Sequence, residues 1–226
     1  MTTSDRTLRV GITGTIGTGK SEVCRYLARK GYPVVDADRV ARTLTETSVE
    51  IQQRLRDRFG PDVFDETGRL KRRELARIVF RDAGALRALN AIVHPPMIAA
   101  IREEIERFCR GDPAYVFVEA AVIYEAGMEG LFDVVAVVAA DVTTSVKRVA
   151  KRDELAEEEV WDRYRAQIPL EDKIKRADYV IWNDGSLTEL QRRAEEFLQW
   201  LESRRAEAGA GLRSENVRSR RTGGTG

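Results

Sequence analysis

The sequence predicts an α/β fold in three layers, a central parallel sheet with helices on both faces. Three observations predict it. Short apolar runs of strand length recur along the chain and are separated by helical periodicity rather than by hairpin turns. The first of these runs leads into a glycine-rich loop that opens directly into a helix. Two stretches, 47–111 and 149–177, break the strand–helix alternation and read as a helical insertion and a lid.

In chain order, Leu8 to Ile12 reads as a buried strand, followed by the glycine-rich turn and a helix from Ser21 to Arg29 that Gly31 closes. Tyr32 to Asp36 is a second strand ending in a carboxylate. Helices are expected at Val49 to Phe59, Arg72 to Phe80, Leu86 to Val93 and Pro96 to Phe108, with the break before Pro96 set by the prolines. Strands follow at Tyr115 to Val118, Val134 to Ala140 and Tyr179 to Trp182, the last running into a turn at Asn183, Asp184 and Gly185. The stretch 150–177 carries many charges and few apolar anchors, as a lid does. Leu187 to Leu201 closes the fold as an amphipathic helix with Leu187, Leu190, Ala194, Phe197, Leu198 and Leu201 on one side. The expected division is a discontinuous core of 7–46, 112–148 and 178–203, the two insertions, and a basic tail over 204–226.

Composition restricts the function. The 226 residues carry 38 Lys+Arg against 37 Asp+Glu, a net charge of +1, which gives no broad positive field for nucleic acid or a membrane surface. No apolar run reaches membrane-spanning length. The tail holds six Arg and two Glu but no aromatic residue for base stacking, and it is expected to be solvated and disordered. Cys24 and Cys109 form no metal or redox motif and are expected as buried free thiols in a reducing cytoplasm. The polar start, without an apolar signal core, agrees with that compartment. A monomer is expected.

The strongest motif is Gly14, Thr15, Ile16, Gly17, Thr18, Gly19, Lys20 and Ser21, which satisfies Gly-x-x-x-x-Gly-Lys-Ser/Thr between a strand and a helix. Its glycines let backbone N–H groups and a helix N-terminus surround phosphate oxygens. Lys20 is expected to reach the β and γ phosphates, and Ser21 to offer a hydroxyl to Mg²⁺. No Asn-Lys-x-Asp guanine reader is present, nor the Leu-Ser-Gly-Gly-Gln signature of transporter ATPases. A short chain with a helical insertion and an arginine-bearing lid reads instead as a small-molecule kinase, in which closure excludes water. Asp36 and Asp38 follow the second strand, where such sheets collect ligands; Asp38 can orient or deprotonate an acceptor hydroxyl, cap the helix that follows, or do both.

Several motifs together resemble the dephospho-CoA kinase family. They are Gly11 to Ser21, Val34 to Asp38, Leu89 to Pro95, Val118 to Glu125, the stretch from Lys147 through Asp153 to Gln167, and Ala177 to Asn183, so the likeness spans residues 8 to 201. The resemblance implies a three-layer P-loop kinase-like fold and transfer of the γ-phosphoryl of ATP to the ribose 3′-hydroxyl of dephospho-CoA, with Mg²⁺ as cofactor. It makes Asp38 the base, puts Asp36 near the metal, and makes Arg148 and Arg152 phosphate clamps on the lid. It places His94 and Pro95 with the CoA portion, and Glu119 and Glu125 at the substrate, with Glu119 equally weighted as a metal neighbour. Backbone groups near Asn183 are the candidates for reading adenine.

Two of these motifs depart from the family pattern. Thr15 and Thr18 stand where Gly and Ser are usual, and Ala121 replaces a usual Pro in the loop after the third strand.

Overall fold

The computed structural model describes residues 6–222, with side chains as far as Glu207. Five strands, β1 (Leu8–Thr13), β2 (Val34–Asp36), β3 (Tyr115–Glu119), β4 (Val134–Ala139) and β5 (Tyr179–Trp182), form one sheet in the order β2-β3-β1-β4-β5. All four pairings are parallel. Nine helices cover it among the described residues: α1 (Lys20–Arg29), α2 (Ala37–Thr47), α3 (Val49–Phe59), α4 (Arg72–Val79), α5 (Ala83–Cys109), α6 (Val142–Asp153), α7 (Glu157–Arg165), α8 (Leu170–Arg176) and α9 (Leu187–Thr222).

The strands carry apolar residues on both faces because both faces are covered. Tyr115 and Phe117 of β3, and Val134, Ala136 and Val138 of β4, pack with Val23 and Leu27 of α1 and Phe197 and Leu201 of α9. The alternate residues Val116, Val118, Val135 and Val137 face Met97, Ile101 and Ile105 of α5 and Leu170 of α8. This period of two fixes the register, since a slip of one residue would exchange the two cores. The helical insertion has a core of its own, in which Ile51, Leu55, Val63, Leu75, Val79 and Ile92 meet.

The structure departs from several expectations. The helices expected on either side of His94 are one helix, α5, with Pro95 and Pro96 inside it. Each proline forfeits an intrahelical bond at a cost of about 3 kcal/mol. The helix tolerates them because its first half buries Ala85, Ile92 and Val93 in the insertion core while its second half buries Met97, Ile101 and Ile105 under the sheet. Full burial of such side chains contributes about 1.5–3 kcal/mol each.

The closing helix does not stop at Leu201 but continues to Thr222, across most of the segment expected to be disordered. Its sequence there is rich in Ala, Glu and Arg, all good helix formers. The rest of that segment, 223–226, lies outside the described residues.

The stretch 150–177 is better anchored than its composition implies. Val160 is fully buried against Val146 and Val149, with Ile16 of the glycine-rich loop and Trp161 at the edge of the same cluster. No helix among the described residues is long and apolar enough to cross a membrane.

Cys24 is buried and free, as expected, whereas Cys109 is only half-buried at the end of α5. Burial pushes the Cys24 thiol well above its usual range, and the Glu119 carboxylate adds to that. A thiol titration of the native protein at pH 8 is expected to modify one cysteine, Cys109, and to reach both only after denaturation. Prompt reaction of both would contradict the packing of α1.

Candidate active site

The sheet order places β1 between β3 and β4, so the loop leaving β1 enters the crevice where the connections diverge. Strand register brings the acids there. Ile12 of β1 pairs with Glu119 of β3, and Glu119 pairs in turn with Asp36 of β2. The cleft above these strand ends has a volume of about 830 Å³.

The loop from Gly14 to Gly19 is fixed by its backbone. Gly14, Gly17 and Gly19 have φ of 146°, 79° and 98°. A Cβ on Gly14 would lie 2.3 Å from the Val138 carbonyl oxygen, and one on Gly17 would lie 2.4 Å from that of Ser145. The Thr18 hydroxyl donates to the Thr15 carbonyl at 3.0 Å, so the threonine keeps the hydroxyl that a serine would supply there.

Two side chains from distant parts of the chain grip the loop. The Asn183 amide donates to the Thr18 carbonyl at 2.9 Å, and the Gln167 Oε1 accepts from the Ile16 N–H at 2.8 Å. The Asn183 side chain is thus committed to holding the loop, while the residue also lines the cleft.

Lys20 is 9% exposed and donates to the Gly14 and Thr15 carbonyls at 3.1 and 2.9 Å. Burial lowers its pKa to about 8, with Asp38 and Glu119 working against that shift and Lys173 adding to it. Ser21, in the first turn of α1, donates to Glu119 Oε1 at 2.5 Å. Burial holds the Glu119 carboxyl above its usual range, the Ser21 hydrogen bond and Lys20 oppose this, and Asp36 and Asp38 reinforce it.

The helix cap is Asp36, not Asp38: its carboxylate accepts from the Arg39 N–H at 3.0 Å. Asp38 is the second residue of α2, in its first turn, and is left free to face the cleft. Its carboxylate meets cleft solvent yet is crowded by protein on its other sides. Lost solvation therefore raises its pKa, against the pull of Lys20 and with the help of Asp36.

Arg148 and Arg152, four residues apart on α6, both line the cleft. Arg152 is paired with the neighbouring Asp153 through two bonds of 2.7 and 2.9 Å. Leu86, Leu89 and Asn90 of α5 form the wall on the insertion side. His94 stands one turn beyond Asn90, half-buried, with its pKa lowered by burial against the pull of Glu125. Pro95 is exposed and, like His94, is not among the residues that line the cleft.

Glu125 lines the cleft, but its Oε1 is occupied by Lys173 at 2.7 Å and by the Ile168 N–H at 2.9 Å. Ala121 contributes through its carbonyl, which accepts from Lys173 at 2.7 Å and from Thr13 at 3.3 Å. Alanine offers that oxygen as well as the proline usual in the family.

Sequence reasoning misses Gln167, Lys173, Arg42 and Arg163 as parts of this site. Arg42 lines the cleft and lowers the Asp38 carboxyl. Arg163 lines it from α7 and lies 5.7 Å from the centre of the Phe80 ring. Their spacing carries no motif. Arg163 and Gln167 fall inside a motif stretch that the sequence singles out, and Lys173 inside the expected lid.

A parallel five-stranded sheet, a phosphate-binding loop after its first strand and acids at the adjacent strand ends define a nucleotide-binding protein of the P-loop kinase class. Among solved structures, a Thermus thermophilus protein, TT1252, is similar with a TM-score of 0.72 and 41% identity, over 87% of this chain and 98% of that one. The dephospho-CoA kinase of Campylobacter jejuni superimposes with a TM-score of 0.62 at 27% identity, over 84% of this chain and 95% of that one. The family profile described as dephospho-CoA kinase (CoaE) matches residues 8–189. A dephospho-CoA kinase of Chlorobaculum tepidum is 40% identical over 198 residues, 86% of this chain and 95% of the relative. The chain belongs to the dephospho-CoA kinase family.

The close fit of the loop glycines makes their replacement informative. In Gly17→Ala the new methyl group meets the Ser145 carbonyl at a left-handed φ, a strain of about 1–3 kcal/mol before any clash is counted. Calorimetry is expected to show a lowered Tm, and fluorescent ADP at least a hundredfold loss of affinity. Gly130→Ala, where nothing lies within 4 Å of the added Cβ, is expected to change neither.

Proposed function

We propose that the protein transfers the γ-phosphoryl group of ATP to the ribose 3′-hydroxyl of dephospho-CoA, giving CoA and ADP in the last step of coenzyme A synthesis. One observation carries the reading: Asp38 faces the same cleft as Lys20 and the phosphate loop, opposite a wall built by the helical insertion. Family membership supports the choice of acceptor.

In this reading the loop N–H groups and Lys20 hold the β and γ phosphates, with Lys20 exchanging the Gly14 and Thr15 carbonyls for phosphate oxygens. Asp38 orients the acceptor hydroxyl and takes its proton. A carboxylate with a raised pKa is a better base for that purpose than an ordinary one. Arg148 and Arg152 bring guanidinium groups from α6, where the core passes into the lid, onto the transferring phosphate, where a planar fork pairs with two oxygens. Asn183 supports the loop through the Thr18 carbonyl, and its backbone is the candidate for reading adenine. The insertion wall, with Leu86, Leu89 and Asn90, receives the rest of the acceptor, and His94 acts behind that wall.

A divalent cation suits the acids. Ser21, Glu119 and Asp36 offer hard oxygen donors; burial raises the Glu119 carboxyl, repulsion from Asp36 and Asp38 adds to it, and a cation would relieve that repulsion. Among the described residues no three His, Cys, Asp or Glu side chains form a metal cage by themselves. Mg²⁺ keeps waters and phosphate oxygens as most of its ligands, so it needs few from the protein. When bound, it supplies positive charge to the phosphate oxygens.

We read the chain as a discontinuous nucleotide-binding core of 7–46, 112–148 and 178–203, a substrate-binding insertion of 47–111 and a lid of 149–177. It acts in the cytoplasm as a monomer.

ADP release from ATP and Mg²⁺ is expected to depend on added dephospho-CoA. It is expected to fall about 10²–10⁴-fold in Asp38→Asn and to vanish in Lys20→Met, both variants remaining folded by circular dichroism. Turnover with nucleoside or nucleoside monophosphate acceptors but not with dephospho-CoA would replace this reading with that of another small-molecule kinase.

A further inference from the structure

Lys173 of α8 is fully buried, yet its position needs no charge for packing, since Leu170 and Ile174 of the same helix already face the core under the sheet. A buried ion pair is seldom worth more to stability than apolar side chains of similar volume. What distinguishes this one is where its two ends are attached. The ammonium holds the Ala121 carbonyl at 2.7 Å and Glu125 Oε1 at 2.7 Å, both in the loop that follows the acid-bearing β3. The same Glu125 oxygen accepts the Ile168 N–H at 2.9 Å. Glu125 Oε2 is buried without a hydrogen-bond partner, so the carboxylate is held through one oxygen alone.

Ile168 directly follows Gln167, the side chain that grips the phosphate loop at Ile16. The chain returning from the lid is therefore pinned at Ile168 and Lys173, and the pinned end presents Gln167 to the loop. Lys173 itself does not line the cleft, whereas Ala121, Glu125 and Gln167 do.

We propose that Lys173 is a positioning residue: through Glu125 and Ala121 it locks the lid's return arm to the loop after β3, and thereby seats Gln167 on the Ile16 N–H of the phosphate loop. The proposal rests on the kinase reading above and assigns Glu125 to this lock rather than to direct contact with substrate. The loop's two outside supports then come from opposite directions, Asn183 from the end of β5 and Gln167 from the lid. The first is attached to the sheet. The second follows the lid, so the loop is seated correctly only when the lid's base is in place.

The test reads the Ile16 amide directly, by hydrogen exchange in NMR spectra of the full chain with and without ADP. Gln167→Ala sets the scale and is expected to speed Ile16 exchange at least tenfold. Lys173→Met is expected to do the same. The double variant Lys173→Met/Glu125→Met removes both charges and keeps apolar volume, so it guards against simple unfolding. It is expected to melt as a cooperative unit and still to show fast Ile16 exchange. In the phosphoryl-transfer assay kcat is expected to fall about 10–100-fold, as a misplaced phosphate loop implies, while the Kd for ADP stays within about threefold. Ile16 exchange as slow as in the wild type in a folded double variant overturns the proposal. Equal losses in ADP affinity and kcat would also overturn it, because they indicate general damage to the nucleotide site. Failure of dephospho-CoA as acceptor would count against the kinase reading alone, since exchange and ADP affinity are measured without it.

Discussion

The ammonium of Lys20 is the group on which the cleft depends. Parallel strands end together, and here the ends of β2 and β3 place Asp36 and Glu119 side by side, with Asp38 two residues on in the first turn of α2. The glycine-rich loop turns the carbonyls of Gly14 and Thr15 inward as well. A buried cation is what lets so many oxygens face one another without ligand, and Lys20 is that cation. Its cost is visible in its lowered pKa. The arrangement is held in readiness for phosphate, which can replace the carbonyls as the partner of the ammonium.

Much of this was legible in the sequence, and the reasons differ by feature. The strands were readable because both faces of a parallel sheet are buried, so short apolar runs stand out; β5 and α3 have the bounds expected of them. The phosphate loop was readable because φ, close approach and charge each demand particular residues at fixed spacing. The continuity of α5 through Pro95 and Pro96 was not, since local propensity argues for a break and only the two cores, far apart in sequence, outweigh it. Asn183, Gln167 and Lys173 were not readable as loop supports for a related reason. Each acts across more than forty residues of sequence, and the contact exists only once strand order and the path back from the lid are known.

The same reasoning explains how a chain with a net charge of +1 can handle polyanionic ligands. Its arginines are distributed by local need. Arg148, Arg152 and Arg163 line the cleft from the lid side and Arg42 from α2. Others tie neighbouring helices together at the surface, as Arg77 of α4 does in bridging to Glu159 of α7 at 3.3 Å. An exposed pair of that kind contributes little stability, at most about 1 kcal/mol, and is therefore easily broken. The strong interactions are reserved for the base of the lid and the loop, where geometry must be kept.

The most direct test of this account is the ionisation of Lys20 itself, followed by NMR in protein carrying isotope-labelled lysine, without divalent cation. The account predicts a pKa of about 8 in the free protein. Its burial favours the neutral amine, so the charge is complete below that pH and is lost above it. Bound ADP must favour the ammonium, shifting the pKa upward toward the ordinary lysine range, with proton uptake on binding above pH 8. A Lys20 that titrates near 10.5 in the free protein and does not respond to ADP would contradict the central role given to its burial.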